Sequence, residues 1–161
     1  MADSGLSELA TFAAEAEADK FPSIVIDKVH SCLLYGLAVG IAATPAQAPK
    51  IVCQALAAEF KGEGGRCRQF LDGRKVSAGV AAFANAALLH ARIQEDAHPA
   101  GHVGVVIIPA ALAMAEHCSS SGRDLTAALV AGYEVALRVG RDHVTDLNAR
   151  GFRSTSVYGT L

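Results

Sequence analysis

Aromatic residues make up only 6% of this 161-residue chain. Together with abundant alanine, that scarcity favours closely packed helices over a sheet of large side chains. Positive charge is not in excess either. Fourteen Lys and Arg stand against sixteen Asp and Glu, for a net charge of −2, so nothing would neutralise a run of phosphates, and nucleic acid is excluded as an expected partner. The four cysteines, Cys32, Cys53, Cys67 and Cys118, form no CxxC pair and read as reduced core thiols, with no metal expected. The longest charge-free apolar run, Cys32 to Ala43, has 12 residues; as a helix it reaches about 18 Å against a hydrocarbon core of about 30 Å, so it reads as a core helix. The opening "MADSGLSELA" lacks the basic and apolar regions of a secretory signal, and its acidic residues argue against a transit peptide, which makes the cytoplasm the expected location. No repeat or low-complexity tract interrupts the chain.

What the sequence does contain is apolar material: 52% hydrophobic residues and a mean hydropathy of +0.31 exclude disorder. A chain of this size buries roughly 70% of its extended surface, enough for one core. The expected class is mostly α, a bundle of about six helices with at most one short β-hairpin. Leu6, Leu9, Phe12 and Ala13 recur at helical spacing after two possible N-caps, Asp3 and Ser4. Pro22 suits the first turn of a second helix carrying Ile26, Val29, Leu33, Leu37 and Ile41 and ending before Pro45, apolar nearly all round and therefore expected at the buried centre. Gly36 and Gly40 on one face of it invite close approach of another helix.

Ile51, Val52, Ala55, Leu56 and Phe60 predict a third helix, followed by the flexible "KGEGG". Asp72-Gly73 suits a tight hairpin turn within "RCRQFLDGRKV", the one plausible β element. Ser77 to about Ile93 reads as a helix with Val80, Phe83, Ala87 and Leu88 or Ala91 on its packing face. "VVIIPAALAMAEHC" begins another, with Pro109 near its first turn, and Asp124 can cap "LTAALVAGYEVALRVGRDH". A loop around Asn148 to Gly151 and the start of one further helix complete the pattern.

The densest polar cluster, "QEDAHPAGH", places Glu95, Asp96, His98 and His102 on a loop between two apolar helices. Pro99 and Gly101 break the single helical face that a HxxxH metal pair requires. Acid–base chemistry needs only one histidine that works near neutral pH and a carboxylate to orient it, so the cluster reads either as that or as a solvated loop. His30, His90, His117 and His143 read as helix-surface or capped histidines, with His90 on the helix approaching the cluster.

Three segments, "AAFANAALLHARIQEDAHPAGHVGVVIIPAALAMAE", "DLTAALVAGYEVALRVG" and "RGFRSTSVYGTL", resemble the N-terminal helical part of the MmgE/PrpD family, in the same order and at similar spacing. That family includes 2-methylcitrate dehydratases, cis-aconitate decarboxylases and an iminodisuccinate epimerase, all acting on small polycarboxylates. The resemblance implies that His102, at the position of the family's "HPS" histidine, is an active-site residue. Glu95 aligns with an aspartate of the family's "DDT" and Asp96 with its threonine. An earlier aspartate becomes Arg92, and a second active-site histidine, from "GFH" or "RFH", becomes Arg153 in "GFRSTSV". A guanidinium does not shuttle protons near neutrality but clamps carboxylates well, so Arg153 reads as a substrate-binding cation. Arg92 reads either as a second such cation or as a solvated helix-end residue.

The resemblance therefore implies a lyase that moves a proton beside a carboxylate, with His102 and Asp96 as catalytic residues. Arg153, Arg92, His98 and Glu95 are the expected substrate-binding residues. Dehydration of a 2-methylcitrate-like substrate is the first reading, and epimerisation or cis-aconitate-type decarboxylation the alternatives. No cofactor and no membrane are expected, and a homodimer is the expected assembly. Residues 1–161 correspond to part of the family's helical domain without its α+β lid, so this chain is expected to show little turnover by itself; a noncatalytic helical dimerisation module is the competing class.

Overall fold

The computed structural model describes residues 5–61, 64–141 and 143–158, and its elements follow the punctuation of the sequence. Helix α1 spans Gly5–Ala14, a 3-10 turn Ala18–Lys20 follows, and Pro22 precedes α2, Ser23–Ala43. After Pro45 come α3, Gln47–Glu59, and a hairpin of β1, Cys67–Arg68, and β2, Lys75–Val76, antiparallel with Cys67 opposite Val76. Gly73 turns the hairpin at φ +75°, where a side chain would be strained. Helix α4 runs Ala78–His90, α5 Gly104–Cys118 and α6 Gly122–Arg141. Two short helices, α7, Val144–Ala149, and α8, Ser154–Tyr158, end the described chain. The expected caps Asp3 and Ser4, with Gly62 and Glu63 of the flexible loop, lie outside the described residues.

The mostly α class with a single short hairpin is what the structure contains, but its centre differs from expectation. The most extensive packing is between α4 and α5, with α3 on α4, α6 on α5, and α2 crossing α4, α5 and α6. Leu89, Ile108, Val105, Val29, Leu129 and Val130 form the main core. Helix α2 buries one stripe, Val29, Gly36, Val39, Gly40 and Ala43, while Ile24, Leu34, Tyr35 and Ile41 are exposed. Its 21 residues pass a length and hydropathy test for crossing a membrane, yet its glycine face is taken up by helix packing. A Cβ on Gly36 would stand 2.8 Å from Ile108 Cδ1, and one on Gly40 3.0 Å from Leu89 Cδ1; these glycines provide the close approach that their spacing predicts.

Phe83 is the second departure: it projects from α4 away from the core and is exposed. Pro109 lies in the second turn of α5 and is buried, so the helix forgoes one backbone hydrogen bond there. At the start of α6 the cap is Ser121, whose Oγ accepts from Asp124 N at 3.2 Å while Asp124 Oδ2 accepts from Ser121 N at 3.0 Å, a reciprocal capping box. The bonds that the Asp124 carboxylate accepts from Ser121 N and Ser121 Oγ hold it below its ordinary pKa. Buried Asn85 fastens the hairpin to α4, donating to Arg68 O at 2.9 Å and accepting from Phe70 N at 2.8 Å. Cys53 and Cys67 are core thiols, Cys32 is half-buried and Cys118, at the end of α5, is exposed.

Leu89, 1% exposed, and Leu34, 70% exposed, give a direct check of where the core sits. Leu89→Ala should cost about 2–5 kcal/mol and Leu34→Ala less than about 0.5 kcal/mol, read from urea midpoints at constant slope. Equal losses would place the centre on α2 after all.

Candidate active site

The segment joining α4 to α5 is irregular because Pro99 and Gly101 interrupt helix there, and each turn of it is tied to a neighbour. Ile93, a β-branched residue at φ +52°, donates its N–H to His90 O at 2.9 Å and reverses the chain at a conformational cost. Tyr35 of α2 donates to Gln94 O at 2.6 Å. His98 and Gly101 pair through two backbone hydrogen bonds of 3.1 and 2.8 Å, and His102 N donates to Thr155 Oγ1 of α8 at 2.7 Å. Helices on either side of the bundle thus fix where the loop's side chains point.

Consecutive carboxylates point to opposite sides of this loop. The Glu95 side chain is 1% exposed, and its Oε1 lies 2.6 Å from His90 Nδ1 and 3.3 Å from His102 Nδ1. The first contact is a hydrogen bond. The second is within ion-pair distance but makes no hydrogen bond, and the buried His102 Nδ1 and Glu95 Oε2 have no hydrogen-bond partner. A buried carboxylate is tolerable only when its charge is answered nearby, and here the answering groups are two imidazoles. Both rings line a cleft of about 460 Å³, together with Phe83, Ile93, Val105, Arg153 and Thr155. His90 is 55% and His102 34% exposed at the side chain. With Nδ1 turned to Glu95, Nε2 is the nitrogen left for a bound molecule.

Asp96 belongs to the other side. Its Oδ2 accepts from Tyr133 of α6 at 2.7 Å, in a second cavity of about 500 Å³ that also touches Cys32 and His98. A Cβ on Gly104 would collide with both the Asp96 carboxylate and the Tyr133 hydroxyl, so this pair needs glycine there. Burial, then the Asp96 hydrogen bond, push the Tyr133 phenol above its ordinary range; burial and the Asp96 charge likewise raise the Cys32 thiol. Tyr133 is thus a neutral donor at neutral pH, and its bond to Asp96 locks the loop.

Of the residues singled out from sequence, His102, Glu95 and Arg153 are brought to one cleft. Asp96 is not, which corrects its expected pairing with His102. His98 is exposed on the Asp96 side, its Nδ1 accepting from Ala100 N at 3.1 Å. Arg92 bonds to Gln94 Oε1 at 2.8 Å and to Ala42 O at 3.2 Å, so it braces the loop against α2 and does not line the cleft. His90, expected as a helix-surface histidine on the helix approaching the cluster, and Phe83, expected on a packing face, both line the cleft. The signal for His90 was its place five residues before Glu95, at a helix end where the chain turns back. Among the described residues no cluster of three or more His, Cys, Asp or Glu could hold a metal.

Comparison with known proteins identifies a family. The model of the MmgE/PrpD N-terminal domain matches residues 7–161. The cis-aconitate decarboxylase-like protein oryM of Aspergillus oryzae (strain ATCC 42149 / RIB 40) is 30% identical over 96% of this chain and 34% of its own length. The cis-aconitate decarboxylase of Aspergillus terreus is 28% identical over 95% of this chain and 32% of its own. The chain therefore spans about a third of the length of these relatives. No solved structure matches it significantly.

If Glu95 accepts from His90 Nδ1, the neutral His90 ring carries its proton on Nδ1. Ring ¹⁵N spectra above neutral pH should show that form in the wild type, and Glu95→Ala should shift His90 toward the Nε2–H form. A wild-type His90 already protonated on Nε2 would contradict the contact.

Proposed function

The chain belongs to the MmgE/PrpD family, and we propose that the His90–His102 cleft binds a small polycarboxylate and moves a proton on the carbon beside one of its carboxylates. The observation that carries this reading is the convergence of two imidazoles, a buried carboxylate behind them and the exposed Arg153 guanidinium in one cleft. A cleft with a fixed cation selects acids, and Arg offers a carboxylate two parallel N–H donors. Removing a proton next to a carboxylate leaves negative charge on the carbon and its carboxylate oxygens, which the same cation favours. His102 takes the proton, with the Glu95 carboxylate 3.3 Å from its Nδ1.

For a hydroxylated substrate the electron pair left on carbon forms a double bond as hydroxide departs with a proton, giving dehydration of a 2-methylcitrate-like acid. The names of the two Aspergillus relatives favour a second reading, in which carbon dioxide leaves a cis-aconitate-like acid and the carbon takes up a proton. Both reactions use the same cation and the same imidazole.

Binding is testable on this chain directly. Titration with cis-aconitate or 2-methylcitrate should move NMR signals of Phe83, His102 and Thr155, and Arg153→Gln should weaken binding about ten- to a hundredfold, one charged hydrogen bond being worth about 1.5–3 kcal/mol. In a protein that carries this domain and turns over either acid, His102→Gln should lower kcat by about 10² to 10⁴. Undiminished turnover, or binding signals clustered around Tyr133, would overturn the reading.

A further inference from the structure

We propose that His90 is a second proton-carrying catalytic residue, and that His90, Glu95 and His102 act as one unit holding a single shared proton. The proposal rests on the reading of the cleft given above and adds a partner to its chemistry. Three observations carry it. His90 Nδ1 bonds a Glu95 oxygen and His102 Nδ1 lies 3.3 Å from the same oxygen, both rings line the same cleft, and the carboxylate is sealed from water.

Charge arithmetic follows from the burial. One buried carboxylate balances one imidazolium. A second imidazolium would stand uncompensated beside the first, with Arg153 also facing the cleft, and is opposed by like-charge repulsion. One charged ring and one neutral ring on one carboxylate would be an acid and a base held ready together. The charged and titratable groups facing the pair are few. Helix α4 contributes His90 itself, the loop Glu95 and His102, and the turn before α8 Arg153, while the cleft residues of α5 and α8, Val105, Val106, Thr155 and Ser156, carry no charge.

Dehydration uses such a pair without changing its proton count. The neutral ring takes a proton from carbon, the C–H electrons become the second bond of the alkene, and the C–O bond breaks with its pair going to oxygen. The charged ring protonates that oxygen, and water leaves. The rings have exchanged states, the unit still holds one proton, and Glu95 between them favours either arrangement. Decarboxylation differs, because the carbon gains a proton that the unit must recover from solvent on each turnover.

The test follows the two ring signals of the ¹⁵N-histidine-labelled chain against pH. Linked rings should move together in two steps in the wild type, and His90→Gln should leave His102 with a single step. Rings that respond independently would overturn the proposal whatever the activity. In a protein that turns over a polycarboxylate, His90→Gln should lower kcat by about 10² to 10⁴ with KM within about threefold, whereas the exposed His117→Gln should change neither. The double variant His90→Gln/His102→Gln should cost little more than either single one. Linked rings with undiminished kcat in His90→Gln would also overturn it. Linked rings in a protein that turns over none of 2-methylcitrate, cis-aconitate and iminodisuccinate would support the shared proton while overturning the functional reading.

Discussion

A carboxylate removed from water at the junction of two apolar helices is the constraint around which the candidate site is arranged. The Glu95 carboxyl is almost wholly removed from water, and a buried charge left alone costs several kcal/mol. The His90 and His102 rings answer it, and in doing so acquire a fixed orientation. Neither ring could be aimed so well by a solvated partner, because exposed ion pairs are weak and mobile. Burial therefore does the positioning, and both Nδ1 atoms lie within 3.3 Å of one Glu95 oxygen.

Holding Glu95 inward requires the loop to be rigid, and its rigidity comes from elsewhere in the bundle. Tyr133 of α6 grips Asp96, Tyr35 of α2 grips the Gln94 carbonyl, and Thr155 of α8 receives the His102 N–H. Asp96 is drawn to one side and Glu95 points to the other. The absent side chain at Gly104 leaves room for the grip on Asp96. The two cavities flanking the loop are thus linked through two adjacent residues, one serving as anchor and the other as the charge that orients the imidazoles.

Much of this was legible in the sequence, for identifiable reasons. Pro22, Pro45 and Asp72-Gly73 act through local backbone geometry, so the boundaries of α2 and the hairpin followed from them. The Gly36 and Gly40 spacing signalled a close helix crossing, and "QEDAHPAGH" marked the polar loop. The orientation of Glu95 against Asp96 was not legible, because it depends on Tyr133, 37 residues away in sequence. The exposure of Phe83 was likewise hidden, since helical periodicity does not say which of several apolar stripes meets a neighbour in a helix as uniformly apolar as α4. For the same reason the buried centre fell on α4 and α5, although α2 has the longest apolar run. Arg92 shows the limit of reasoning from charge alone: its cation is engaged by a carbonyl at the end of α2 and not by the cleft.

The central claim is that acids enter on the Glu95 side of the loop, between His90, His102 and Arg153. The most direct measurement is a crystal structure of this chain with cis-aconitate bound. The account predicts one ligand carboxylate on the Arg153 guanidinium and a ligand carbon within reach of the His102 ring. A ligand seated instead against Asp96 and Tyr133, with the His90–His102 cleft empty, would contradict it.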